Sequence, residues 1–538
     1  MVEFTPPQRQ LLKSFVTNLD RPLFGLWNLP EVVKGALFSR YSRSTKSLRE
    51  ILLEEFINDR EANFAEIVGQ SGDGMDQFVA IQKAEKFYNR VLIGYGDDSV
   101  AELGGAHLAC EGISNIAAKA LEDSRIGLSP LEKSTRYVAF DQQVHGQYLY
   151  YREPAIMASR HGDLYEQTLD HLFTTYRTLI GQLWPWVQNQ TPREEGTSDR
   201  AYNNATRAKT LDLLRGLLPM ATLTNVGLFG NGRAFEYLLV KLQASHHQEL
   251  QGLAASMQQE LEQMIPSFVK RASSDRGRAF AHYLQDTNHQ TQQLSDRLLS
   301  TNTKANPSQE TVQLVEYDPD GETKVITAIL YSHSDLTWAE VMNQVEHLTA
   351  TERLELINTY VGDRAVRFHK PGRGLEETYY TFDVLGDLGA YRDLQRHRIL
   401  TQERQRYTVD HGYIIPHELV QAELDGPYCA ALDRAADTYR TIAQDLPWAA
   451  QYVVPFAYRI RWRMKLNLRE LYHFAELRSG RQGHPTYRAI AQDMYKLVMS
   501  VHPTLAAGMK FVDLGNYELE RLASEQKIDQ KLSQLEHL

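Results

Sequence analysis

The sequence predicts a helix-rich α+β protein built as two tandem halves, and three observations carry that prediction. Apolar residues recur at helical spacing over 48–58, 100–121, 164–189, 234–267 and 485–501. Strand-like runs are fewer and shorter, at 148–152, 313–317, 325–331 and 378–384. Landmarks of one half then return in the other in the same order. Ala36-Leu37-Phe38-Ser39-Arg40-Tyr41-Ser42-Arg43-Ser44 is echoed by Ala328-Ile329-Leu330-Tyr331-Ser332-His333-Ser334. Arg136-Tyr137 has its counterpart in Arg406-Tyr407. Leu218-Pro219 precedes Asn231-Gly232-Arg233 by the same separation at which Val454-Pro455 precedes Asn467-Leu468-Arg469. A polar, Pro-containing stretch, Ser300-Thr-Asn-Thr-Lys-Ala-Asn-Pro-Ser308, reads as a linker. The first half is therefore placed at 20–270 and the second at 311–538. The connector at 271–310 begins with a polar helix over 272–300.

Composition narrows the functional class. The 538 residues carry 58 Lys plus Arg against 68 Asp plus Glu, a net charge of −10. Such an acidic chain is not a general nucleic-acid or membrane-surface binder, so any anion site must be a local basic patch. Hydrophobic residues at 42% and charged residues at 23% exclude wholesale disorder. The two cysteines, Cys110 and Cys429, allow no CxxC and no disulfide framework, which fits a reducing, cytoplasmic setting. No secretory pattern opens the sequence, and no run of 18 apolar residues appears. No metal site is expected.

Three segments concentrate chemistry. Tyr391-Arg-Asp-Leu-Gln-Arg-His-Arg-Ile-Leu-Thr-Gln-Glu-Arg-Gln-Arg-Tyr407 holds five arginines and a histidine. It is either an anion site, since guanidinium forks suit phosphates and pyrimidine carbonyls, or a solvated face partly neutralised by Asp393 and Glu403. In Asn467-Leu-Arg-Glu-Leu-Tyr-His-Phe-Ala-Glu-Leu-Arg-Ser-Gly480, Asn467 is a candidate N-cap and Gly480 a stop. Leu471, Phe474, Ala475 and Arg478 share one face, so Arg478 needs a carboxylate or a ligand as partner. Glu132-Lys-Ser-Thr-Arg-Tyr137 is either a phosphate cradle or a turn. Arg215 is a further cation in an apolar setting, Leu-Leu-Arg-Gly-Leu-Leu-Pro219. GxGxxG, Walker A and GxSxG patterns are missing.

Taken together these segments resemble the flavin-dependent thymidylate synthases. That family carries an Arg-His-Arg signature closed by Ser-x-Arg-Tyr, an Arg-x-x-Leu-Pro string, an Asn-x-Arg, and a Leu-Arg on the helix that follows. The second half matches with Arg396-His397-Arg398, Asn467-x-Arg469 and Leu477-Arg478. Its Arg-His-Arg segment is two residues shorter than the pattern, it lacks the Ser before Arg406-Tyr407, and Gln451 stands where an Arg is expected. The first half keeps Ser134-x-Arg136-Tyr137 and Arg215. It has Glu122-Asp-Ser-Arg125 in place of Arg-His-Arg, in uncertain register, and Leu242 in place of the pyrimidine-activating Arg. Its Gly-Asp-Asp-Ser99-Val-Ala-Glu102 stretch has Asp97 where the family has His.

The resemblance implies two fused thymidylate synthase-like domains that have lost complementary pieces, leaving one class of composite site. It implies reductive methylation of dUMP, with FAD as cofactor and with NADPH and methylene-tetrahydrofolate as co-substrates. Arg478 is implied as the catalytic residue. FAD contacts are implied for Arg396, His397, Arg398, Asn467, Arg469, His473, Ser99 and Glu102. Nucleotide contacts are implied for Glu132, Ser134, Thr135, Arg136, Arg215 and Arg478. A homodimer would reproduce the family's tetramer of single domains. The rival reading is a divergent FAD- or nucleotide-binding homologue with a different or lost activity.

Overall fold

A computed structural model describes residues 4–57, 100–124, 126–299 and 310–536. The chain divides into two compact units that do not follow the two sequence halves. Unit 1 comprises Met1–Glu111, Ala120–Glu132 and Asn225–Lys304; unit 2 comprises Gly112–Lys119, Lys133–Thr224 and Ala305–Leu538. Residues 133–224 of the first half thus fold with the second half.

Unit 2 is organised on a four-stranded antiparallel sheet, in the order Val312–Tyr317, Tyr379–Asp387, Arg459–Asn467, Thr401–Arg404. The strand Arg459–Asn467 shows why. Ile460, Trp462, Met464 and Leu466 are buried while Arg459, Arg461, Arg463 and Lys465 alternate outward, the period-two pattern of a strand with one covered face. The neighbouring strand Tyr379–Asp387 is buried along nearly its whole length, as suits an inner position. The helix Pro485–Val501 buries Ile490, Met494 and Val498, spaced one helical turn apart. The first-half helices Gly162–Gln190 and Asp199–Leu214 belong to the same unit, and Gly162–Gln190 packs against Asp425–Ala443.

The two Leu/Val-Pro landmarks meet inside unit 2. Met220 N–H donates to Val454 O and Phe456 N–H to Leu218 O, both at 2.9 Å. Ala221 N–H donates to Tyr452 O and Ala457 N–H to Gly216 O, again at 2.9 Å. Each bond is the other with the halves exchanged, so a local two-fold passes by the Pro219–Pro455 bridge. The repeat read in the sequence is therefore a structural pairing as well.

Most residues of a three-stranded sheet, in the order Gly105–Ser114, Leu223–Asn231, Leu128–Glu132, belong to unit 1. Its Gly-rich stretch at 227–232 is strand and helix start rather than a ligand loop. A Cβ on Gly230 would lie 2.2 Å from Leu128, and one on Gly232 would lie 2.4 Å from Phe268. The packing itself demands those glycines.

Several expected elements are corrected. The helix expected over 100–121 is a short 3-10 turn Val100–Glu102, the strand Gly105–Ser114 and the helix Asn115–Glu122. Gly104, Gly105 and Gly112 interrupt an Ala/Leu-rich run that otherwise looks helical; a Cβ on Gly104 would lie 2.3 Å from Phe268. The strand-like run at 325–331 is the end of the helix Gly321–Tyr331, because Val325, Ile326 and Ile329 bury one helical face and tertiary burial outweighs their β preference. The helix expected over 234–267 is Gly232–Gln243, Gln248–Met264 and Pro266–Val269, where Pro266 cannot continue the preceding helix. At 148–152 pairing is limited to Gln147–Tyr148 and a single Tyr150–Thr222 bridge. The segment 48–57 starts as α-helix Leu48–Ile51 and widens into a π-helix, Leu52–Ile57; residue 58 lies outside the described residues. The connector helix is Asp275–Leu298.

Candidate active site

The helix that ends at Arg478 begins where the sequence predicted. The Asn467 side chain accepts the Glu470 N–H at 2.8 Å, capping Leu468–Arg478 directly after the strand Arg459–Asn467. Asn231 does the same for the first-half helix Gly232–Gln243, accepting Ala234 N–H at 2.8 Å. The strand, cap and helix fix Arg478 half-buried at the helix end. Its Nε–H donates to His397 Nε2 at 2.9 Å. Arginine can only donate, so His397 Nε2 must be the bare nitrogen and Nδ1 carries the proton. That Nδ1–H donates to Glu470 Oε1 at 2.7 Å.

Burial, and then Arg478 and His473, hold His397 well below the usual histidine range, so it stays neutral as the tautomer requires. Burial pushes Glu470 up to about 7 despite Lys370, Arg469 and Arg478 nearby. Burial, and then Lys370, Arg367 and Arg478, push His473 down to about 4. The donor atoms of His397, Glu470 and His473 lie within 4.8 Å of one another, the spacing of a metal site. Both His397 nitrogens are committed, and Arg478 adds positive charge at the same place. Arg478, His397 and Glu470 form a hydrogen-bonded relay, and His473 lies beside it with its ring 5.4 Å from that of His397.

A second cluster surrounds two carboxylates. Arg215, from the 3-10 turn that ends the first-half helix, pairs with Asp393 at 3.0 Å. Gly389 makes room for it: a Cβ there would lie 3.0 Å from the Arg215 Nε and Nη2. Burial opposes ionisation of Asp393, yet Arg215, Arg136, Arg396 and Arg478 together hold its carboxyl far below the usual range. Arg136 closes a fork on Asp212, with Nε to Oδ1 at 2.8 Å and Nη2 to Oδ2 at 2.6 Å. Burial would raise Asp212, but Arg136 brings it down to about 2. The remaining Arg136 nitrogen reaches Tyr487 Oη at 3.4 Å, and the Arg478 guanidinium carbon lies 5.8 Å from the Tyr487 ring centroid. Tyr487 thus stands between the first-half Arg136 and the second-half Arg478.

Other expected residues fall as follows. Ser134 Oγ accepts Arg136 N–H at 3.2 Å, a local turn, and Thr135 Oγ1 accepts from Arg392 at 3.2 Å. Arg398 is half-buried and Arg396 exposed. Arg469 is committed to Pro371 O at 2.9 Å and to Glu376 at 3.1 Å. Glu132 and Glu102 belong to unit 1, where Glu132 is buried and Glu102 pairs with Arg233 at 2.6 Å on the surface. Ser99 and Asp97 lie outside the described residues. Glu122-Asp123-Ser124 stands at the end of the first-half helix Asn115–Glu122, where Arg396-His397-Arg398 follows the second-half helix Leu388–Leu394.

Asp212, Glu470, Tyr487 and Arg521 were missed by sequence reasoning. Asp212 had a signal, three residues before Arg215 at the buried end of the helix Asp199–Leu214. Asp393 was anticipated as a neutraliser of the arginine run, but it neutralises the first half's Arg215 as well.

Fold and site define an α+β protein with two fused, homologous halves whose arginines gather around the carboxylates of Asp212 and Asp393. The chain belongs to the family of thymidylate synthase complementing proteins, the flavin-dependent thymidylate synthases, which it matches over 53–267 and again over 313–504. A UPF0159 protein of Chlamydia muridarum is 46% identical over 98% of both chains. A UPF0159 protein of Thermoplasma acidophilum is 34% identical over 91% of this chain and 97% of its own length. The flavin-dependent thymidylate synthase of Geobacter sulfurreducens is 28% identical over 36% of this chain and 84% of its own length, as expected of a single half. The solved structure of flavin-dependent thymidylate synthase ThyX of Helicobacter pylori, complexed with FAD and dUMP, is 21% identical and covers 36% of this chain and 97% of its own, with a TM-score of 0.28. No helix among the described residues is long and apolar enough to cross a membrane.

Proposed function

We propose that this chain is a flavin-dependent thymidylate synthase. It would convert dUMP to dTMP with methylene-tetrahydrofolate as one-carbon donor and NADPH as reductant, at a site drawn from both halves. The observation that supports it is the meeting, within unit 2, of Arg136 and Arg215 from the first half with Asp393 and Arg478 from the second. Arg136, Arg215 and Arg478 are among the pieces the two halves had kept.

The residues fit the anionic groups this chemistry needs. Arg215 Nη2 is a buried donor with no partner among the described residues, beside the cations Arg136, Arg396 and Arg478. A flavin diphosphate would be held by Arg396 and Arg398, with Arg469 and His473 alongside. When bound, the flavin supplies the redox chemistry. Arg478 would stabilise negative charge on the pyrimidine as its N3 proton leaves, and its guanidinium stays charged throughout. His397 and Glu470 hold that guanidinium in place. Arg136 and Arg215 would take the nucleotide phosphate. No thiol is needed: burial pushes Cys110 up to about 11, which makes it a poor nucleophile. Two such chains, four halves, form the proposed homodimer.

The test is dTMP formation by the purified chain with dUMP, methylene-tetrahydrofolate and NADPH. Flavin bound and dUMP bound without dTMP would favour a divergent nucleotide-binding flavoprotein. One observation favours that second reading: the Arg136 fork is already closed on Asp212.

A further inference from the structure

The C-terminal segment carries an arginine into the cluster. From Leu519 onward the chain lies along the first-half helix Asp199–Leu214, with Leu519 and Leu522 packed on Ala205. Polar clamps hold it there. Lys209 pairs with Glu520 at 3.0 Å, and Arg200 pairs with Asp529 at 2.6 Å and with Glu525 at 3.2 Å. Gln526 Nε2–H donates to Thr197 Oγ1 at 2.9 Å.

The clamp buries Arg521 to 5% exposure. Its guanidinium carbon lies 4.0 Å from the Tyr137 ring centroid, and Nη1–H donates to Arg136 O at 3.3 Å. Its Nη2 is 3.7 Å from Asp212 Oδ2. Both Asp212 oxygens already accept from Arg136 at 2.6–2.8 Å. One carboxylate therefore faces two guanidinium groups. The Arg521 Nε–H is buried with no acceptor among the described residues. A buried guanidinium that shares its carboxylate with Arg136 and keeps an orphaned donor is unfavourable by itself and gains when an anion arrives. A strap that only had to hold the chain end would be served by its surface pairs and by Leu519 and Leu522, without a cation at its root.

We propose that Arg521 is a phosphate-binding residue of the nucleotide site. It acts beside Arg136 and is delivered by the C-terminal strap. The proposal rests on the reading that this cluster takes a nucleoside monophosphate.

The test compares binding of dUMP and of deoxyuridine, which lacks the phosphate, to the full-length protein by calorimetry. In Arg521→Gln, dUMP affinity should fall about 10- to 100-fold, the loss expected for a charge-assisted hydrogen bond. Deoxyuridine affinity should not change. Arg521→Lys keeps the charge and loses the planar fork, so it should weaken dUMP by a smaller factor, again with deoxyuridine unchanged. Equal weakening of both ligands, or of neither, would assign Arg521 to structure alone and overturn the proposal. If Arg521→Gln does not fold, the Lys variant decides by the same comparison. A wild-type protein that binds dUMP no better than deoxyuridine would instead sink the nucleotide reading on which the proposal stands.

Discussion

Replacing Asp212 by Asn removes the charge from one side of a buried pair while preserving its shape. Asp212 is 4% exposed and accepts two hydrogen bonds from Arg136, with Arg521 at 3.7 Å. The variant leaves two guanidinium groups without the carboxylate they share. Removing one partner of a buried ion pair costs about 3–5 kcal/mol. The acid limb gives a second, signed magnitude. Arg136 stays charged wherever the protein folds, so the pH dependence is read from Asp212 alone. Its carboxyl titrates near 2 in the folded chain, against about 3.9 unfolded. The folded value is depressed, so this stability is fully present above about pH 4 and is lost as pH falls toward 2. It amounts to about 2–3 kcal/mol at neutral pH and about half that at pH 3. Asn does not titrate, so the gap between wild type and variant should narrow by about 1–1.5 kcal/mol between pH 7 and pH 3. Tryptophan fluorescence suits the assay: of the six tryptophans, Trp184, Trp186, Trp338, Trp448 and Trp462 lie in unit 2 and only Trp27 in unit 1. Urea unfolding at each pH then reports the unit that contains the pair. A gap under about 1 kcal/mol at pH 7, or one that widens toward acid, would refute the reasoning.

Arg478→Lys should lower dTMP formation by orders of magnitude while flavin is retained, because the ammonium cannot present a planar fork to the pyrimidine; near-normal turnover would leave Arg478 as a structural partner of His397. Calorimetry should count one dUMP and one flavin per chain, and a count of two would show that the second class of site also works. Glu470→Gln should flatten stability between pH 4 and pH 8. Burial raises the Glu470 carboxyl to about 7, so its protonated form stabilises the fold below about pH 4 and that contribution, about 3 kcal/mol, is lost as pH rises through 7. A variant with the wild-type pH profile would argue against a buried, strained carboxylate at this position.

The tandem repeat, the N-cap at Asn467 and the helix over 485–501 were legible because each rests on local chemistry or on order along the chain. The strand Gly105–Ser114 was not, since Ala, Leu and Ile fill either period and its glycines act through Phe268, which lies far along the sequence. The helix Gly321–Tyr331 was misread for the opposite reason: its β-branched residues carry strand preference, and only burial of one face reveals the helix. In the site, the cations were visible as types and motifs. Their partners were not. Asp212 and Asp393 are ordinary acidic residues until the fold places them against Arg136 and Arg215. Arg521 belongs to no motif, and only the path of the C-terminal segment brings it to Tyr137.

The pairing at Pro219 and Pro455 explains why a fused chain can shed motifs unequally. In an assembly of identical subunits, every site needs every motif on the same sequence. Once two halves sit on one chain, each class of site draws on different copies, and one class can lapse without loss to the other. The residues related by the local two-fold support the proposed division. Arg215 pairs with Asp393, whereas its counterpart Gln451 accepts the Tyr407 N–H at 3.1 Å and donates to Trp448 O at 3.3 Å, a purely structural post. Arg478 stands beside His397, whereas its counterpart Leu242 is buried as an ordinary apolar side chain. Glu122-Asp-Ser-Arg125 stands in place of the Arg-His-Arg signature, and its two carboxylates would repel a phosphate instead of holding one. A site built from that second set would have to regain three cations at once, each worth about 1.5–3 kcal/mol in hydrogen bonds to an anion. The surviving set, in contrast, already has its cations gathered in a single compact unit.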